Sequence, residues 1–157
     1  MNIAKNLNQY NEHYVSFCEP IKNTIINDSI FIRILYSTSI LTLNGIYLLI
    51  PFNNNITIEK QFNKCKYSFN INNYTELIEK IKTIEENILK KIDICDKIPQ
   101  FKIYEQFITG NIKIFFDYYS NNNNIDTNNN LFILKISGIW ENQTNYGLTF
   151  KFIKVIN

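Results

Sequence analysis

The sequence predicts a β-rich α+β domain: an antiparallel sheet of about five to seven strands, with one long amphipathic helix between the third and fourth main strands. Three observations predict it. Leu131 to Asn157 alternates cleanly, with Phe132, Leu134 and Ile136, then Leu148, Phe150 and Phe152, apolar on one face, and a polar hairpin-length break, GIWENQTNYG, between the two runs. From Tyr74 the period changes, so that Leu77, Ile78, Ile81, Ile84, Ile88 and Ile92 recur every three or four residues, on one side of a helix. Asn44-Gly45, flanked by apolar runs, is a strong hairpin signal because both residues tolerate positive φ.

Taken in order, residues 1–27 form a poorly defined N-terminal segment in which only Tyr14 to Phe17 reads as a short strand, interrupted by Pro20. Ile30, Ile32, Ile34 and Tyr36 then alternate with Phe31, Arg33 and Leu35, and strands flank Asn44-Gly45. Ile56 to Ile71 reads as one bent or bulged strand, with Cys65, Tyr67, Phe69 and Ile71 on one face and Lys64, Lys66, Ser68 and Asn70 on the other. Asn73 with Glu76 resembles a capping box. Glu76–Lys80 and Glu86–Lys90 have the spacing of helical ion pairs, and Glu85-Glu86 is assigned to the solvated side. After Pro99, Phe101 to Ile108 reads as a short strand. Ile112 to Tyr119 is a clear one, and residues 120–130, almost all Asn, form a mobile hairpin tip.

A chain of 157 residues, 45% hydrophobic and 15% aromatic, is read as one domain, residues 1–157, and not as a disordered chain. Its longest apolar runs are too short to cross a bilayer, and its N-terminus lacks the apolar core of a signal peptide, so the expectation is an intracellular protein that does not engage membranes. Cys18, Cys65 and Cys95 are widely spaced, and His13 is the single histidine, so no metal, cofactor or disulfide framework is expected. With 30 Ile, 26 Asn and 15 Lys against one Arg, the composition points to an A+T-rich genome, which lowers the weight of abundance and leaves position as the informative quantity.

No catalytic motif emerges. The four glycines never cluster into a phosphate loop, and no Cys–His or paired-carboxylate signature is present, so the expectation is a non-enzymatic protein. The constellation that stands out is basic and aromatic: Arg33, Lys64, Lys66, Lys113, Phe115, Tyr119, Lys135 and Lys151 on outward positions of strands, with Trp140 and Tyr146 bordering the last loop. Ammonium groups neutralise phosphates and flat rings stack on unpaired bases, so such a face suits single-stranded nucleic acid. Lysines also cover ordinary solvated faces, and rings at a loop also cap cores.

The order of three strands, a helix and further strands is that of an OB-fold, which commonly binds single strands. Leu134-Lys135-Ile136-Ser137-Gly138-Ile139-Trp140-Glu141, followed by Tyr146-Gly147-Leu148-Thr149-Phe150-Lys151-Phe152, resembles the C-terminal strands of single-stranded-DNA-binding proteins of large double-stranded DNA viruses. That resemblance implies an OB-like antiparallel barrel and non-catalytic binding of single-stranded DNA in viral replication, recombination or repair, in the cytoplasm or nucleus of a host. It is compatible with homo-oligomers and with replication partners. The chain departs from the pattern in ending Phe152-Ile153-Lys154-Val155-Ile156-Asn157, without the acidic tail such proteins use for recruitment. The alternative is a β-rich virion, scaffold or protein-interaction component that binds no nucleic acid.

Overall fold

The computed structural model describes residues 3–52, 55–115 and 130–155. In chain order its elements are β1 (Lys5–Asn6), β2 (Val15–Phe17), β3 (Ile21–Lys22), β4 (Ile30–Ser37), β5 (Thr42–Leu43), β6 (Ile46–Pro51), β7 (Thr57–Gln61), β8 (Lys64–Ser68), α1 (Thr75–Ile92), β9 (Ile98–Gln100), α2 (Lys102–Ile108), β10 (Asn111–Phe115), β11 (Leu131–Glu141) and β12 (Asn145–Lys154). Short 3-10 turns occupy Leu7–Gln9, Glu12–Tyr14 and Ile71–Asn73.

β11 organises the larger sheet because it is long enough to serve several partners. β12 lies antiparallel along one edge, from Phe132 opposite Lys154 to Glu141 opposite Tyr146. The other edge is shared: Leu131 to Ile136 pair with β6, and Gly138 to Glu141 pair with β4. The register against β12 shifts between Ile136 and Gly138, a bulge at Ser137 that bends the strand where it changes partner. β1 joins β6 in parallel, β9 joins β12 in parallel, and β2, β3 and β5 attach to β4, giving nine strands. β7, β8 and β10 make a separate three-stranded antiparallel sheet. The nine-stranded sheet is not closed into a barrel, and no pairing joins the two sheets among the described residues. The architecture is β-rich α+β with two helices.

The inner faces of both sheets and the apolar sides of both helices share one core. Phe132, Leu134, Ile136, Leu148 and Phe152 are buried, as their alternation predicts, and Phe150 is half-buried. Rings tie the layers together. Tyr67 of the small sheet meets Phe132 of the large one at 4.9 Å between centroids, Phe52 meets Tyr74 beside α1 at 5.0 Å, and Phe107 of α2 meets Phe152 at 5.6 Å. Edge-on aromatic pairs of this kind add about 0.5–1.5 kcal/mol each beyond the area they bury.

Five expectations are corrected. Ile56 to Ile71 is not one strand but the β7–β8 hairpin, turning at Phe62-Asn63 with Gln61 opposite Lys64. The strands flanking Asn44-Gly45 exist but do not pair with each other: β5 pairs with β4, while β6 crosses to β11 and β1, so Asn44-Gly45 is a corner and not a hairpin turn. Phe101 to Ile108 contains α2 instead of a strand, because Ile103 and Phe107, four residues apart, are the positions that bury. Tyr74 is the N-cap of α1, without a side-chain cap bond, so the Asn73–Glu76 box does not form. Asn70 instead accepts from the Asn72 N–H. Glu76 does pair with Lys80, at 2.8 Å, but Glu85 is fully buried and not on the solvated side.

Candidate nucleic-acid interface

The sequence-predicted residues fall into two groups, one on each sheet. On the large sheet, antiparallel register puts Tyr47, Lys135 and Lys151 in one outward row, Arg33, Gly138 and Thr149 in the next, and Phe31, Trp140 and Gly147 in a third. Arg33, Lys135, Trp140 and Lys151 therefore share a face. Like charges directly opposite each other destabilise a strand pair, and Lys135 and Lys151 are opposite. Lys135 is partly relieved by its ammonium group lying 5.3 Å from the centre of the Tyr47 ring. Arg33 Nη1 donates to Asn44 Oδ1 at 2.8 Å, which fixes the guanidinium at the corner before β6.

Glycine sets the position of the rings on this face. A Cβ at Gly138 would stand 2.5 Å from Phe31 Cζ, and one at Gly147 would stand 2.9 Å from Trp140 Cζ2, so each ring lies across a strand that has no side chain there. Trp140 is half-buried on the outer face and is not a lid on the core. Tyr146 behaves oppositely. It is 6% exposed and sits in the core, and burial, then Asp93 and Cys95, raise its phenol above the ordinary range. Its assignment to a binding surface is therefore corrected: its ring points inward from the strand, on the side opposite Gly147.

On the small sheet, Lys64, Lys66, Lys113 and Phe115 share the outer face. Lys113 lies opposite Lys66, which lies opposite Glu59; Phe115 lies opposite Lys64, which lies opposite Gln61. Phe115 is 66% exposed, with the Lys64 ammonium 6.0 Å from its ring centre. The inner face holds Cys65, Tyr67, Ile112 and Ile114, all buried. Tyr119 and residues 120–129 lie outside the described residues.

A groove of about 850 Å³ between β10, β12 and α2 brings the two groups together. Lys113 and Phe115 line it from one side, Lys151 and Lys154 from the other, and Lys102 from α2. Glu105, the one acid among the described residues that line it, holds Lys102 at 2.8 Å. Lys102 and Lys154 are functional candidates that strand parity misses. Lys102 belongs to a segment read as a strand, and Lys154, three residues from Lys151, falls on the opposite side of β12, where it lies 5.4 Å from the Tyr67 ring. A short-period helix reading of 101–108 would have found Lys102.

Two buried titratable groups, a thiol and a carboxyl, are held in structural settings. The Cys65 thiol is raised, first by burial, so it stays a thiol. The Glu85 carboxyl is pushed up to about 6 by burial, against lowering by the backbone N–H groups of Tyr104 and Ile103. Those N–H groups donate to its two oxygens at 2.8 and 3.0 Å, so both oxygens serve as the N-terminal cap of α2. His13 lines a different groove of about 520 Å³, between the N-terminal segment and α1, together with Glu12, Glu76 and Glu79. That groove is acidic and does not suit phosphates. No helix among the described residues is long and apolar enough to cross a membrane. Comparison with protein-family models, curated proteins and solved structures finds no match to this chain.

Proposed function

We propose that the chain is a non-catalytic single-stranded-DNA-binding protein, an open variant of an OB-like β-domain that supports viral DNA replication, recombination or repair. The observation that carries this reading is the groove where Lys113, Phe115 and Lys151, drawn from separate sheets, meet Lys102 and Lys154. Four lysines around one groove give a local positive charge that the net charge of +2 hides. Phe115 supplies an exposed ring beside it, and Lys64 and Lys66, two apart along β8, with the cross-strand pair Lys135 and Lys151, extend the basic surface onto both sheets. Phosphates would track the lysines and unpaired bases would stack on rings, with no sequence readout required.

Fluorescence anisotropy with a labelled oligothymidylate tests this. If the groove neutralises about three phosphates, log affinity should fall with log salt with a slope of about −2. No binding at about 20 mM salt would rule the reading out. A second reading, a protein-interaction component, is favoured by the apolar row Leu49, Ile133 and Ile153 on the outer face of the large sheet. Material absorbing at 260 nm that co-purifies and is removed by salt distinguishes the first reading from the second.

A further inference from the structure

Phe62 is the first residue of the two-residue turn that closes the β7–β8 hairpin, and it is 92% exposed. Nothing in the turn asks for an aromatic residue. The described non-glycine residues with positive φ are Asp28, Asp93 and Asp96, so the Phe62-Asn63 turn is made with backbone angles open to most side chains. Nor does the fold gain from the ring, which touches almost nothing, whereas full burial of a phenylalanine is worth about 1.5–3 kcal/mol. Its surroundings are not apolar either. The register row next to the turn is Gln61, Lys64 and Phe115, so the two most exposed phenylalanines of the described chain stand at the same end of the small sheet, with Lys64 between them in sequence and in register. Lys60 lies one row further in and Lys66 two, on opposite faces.

An exposed apolar patch flanked by cations matches a ligand that is flat, apolar on its faces and anionic at its backbone. We infer that the β7–β8 hairpin tip is a base-stacking site, in which Phe62 and Phe115 receive unpaired bases while Lys64 holds the intervening phosphate. This rests on the single-strand reading and extends its path past the groove to the end of the small sheet, because Phe115 belongs to both. Strand alternation does not single out Phe62, because a turn residue has no face.

The test compares wild type, Phe62→Ala and Phe62→Trp on an oligothymidylate and on an abasic oligomer of equal length. Phe62→Ala should bind the oligothymidylate about tenfold or more weakly, Phe62→Trp should restore binding with quenched indole fluorescence, and on the abasic oligomer all three should agree within about twofold. Thermal unfolding should not change, since the ring is outside the core. If wild type binds but Phe62→Ala binds oligothymidylate equally well, or loses the same factor on the abasic oligomer, the stacking site is overturned while the groove reading stands. If wild type binds neither oligomer, the single-strand reading falls and the stacking site falls with it.

Discussion

Glu85→Ala is expected to destabilise the fold by about 3–5 kcal/mol, read as a lower urea midpoint at unchanged slope. The size follows from what the carboxylate touches. α2 has seven residues and its N-cap, Phe101, supplies no side-chain acceptor, so the Ile103 and Tyr104 N–H groups depend on Glu85 across the helix–helix contact. An orphaned buried N–H costs about 1–3 kcal/mol, and alanine also leaves a cavity beside Ile81, Ile88 and Ile103 in a close-packed interior. Glu85→Gln keeps the shape and one acceptor but turns its amide N–H group on the other backbone N–H, so it should cost less than alanine, about 1–3 kcal/mol.

The same residue gives stability an unusual pH dependence. Burial raises the Glu85 carboxyl from an ordinary 4.5 to about 6, the backbone N–H groups of Tyr104 and Ile103 oppose the rise, and Glu105 and Glu86 add to it. The folded chain thus holds this proton more tightly than the unfolded chain. Its contribution is complete below about pH 4.5 and is lost as pH rises through about 6, a difference of about 2 kcal/mol. Urea melts at pH 5 and pH 7.5 should show that part of the pH dependence in wild type and not in Glu85→Gln. Equal pH dependence in the two proteins would exclude the assignment.

Glu85 also marks where the sequence stops being informative. Ile78, Ile81, Ile88 and Ile92 recur at helical spacing, and position 85 lies on the same lattice, four after Ile81 and three before Ile88. Residue type argues for solvent and position argues for the core. Position decides, because a partner 18 residues away in sequence, the Ile103 N–H, is invisible locally. The β11–β12 hairpin is legible because alternation over eleven and ten residues has no helical counterpart, whereas seven residues of α2 fit either period. Parity along strands correctly turns Lys64, Lys66, Lys113, Lys135 and Lys151 outward. It does not reveal which strands are neighbours, so the division of those lysines between two sheets, and the groove that joins Lys113 to Lys151, depend on topology. Tyr146, by contrast, is legible from parity: it lies two residues before Leu148 on β12 and takes the inward face of Leu148 and Phe152, so grouping it with the loop instead of the strand is what places it on the surface.

Lys113→Glu combined with Lys151→Glu should reduce affinity for an oligothymidylate by about 100-fold or more at ~50 mM salt, and lower the salt slope by about 0.7 for each phosphate that is no longer neutralised. The cross-strand register makes this a clean test, because neither reversal threatens the fold. Lys151 faces Lys135, and Lys113 faces Lys66, so each glutamate replaces a like-charge pair by an opposite one, worth about 0.2–1 kcal/mol in favour of the sheet. The doubly reversed protein should therefore unfold at the same or a higher urea concentration than wild type while binding far more weakly. Lys22→Glu supplies the control. It makes the same change in net charge as either single reversal but sits on β3, which attaches to β4 on the side of β11 away from β12, and it should shift affinity by no more than about twofold to threefold. Equal losses for Lys22→Glu and for either groove reversal would mean that net charge alone attracts the strand, and that the groove has no special part in holding it.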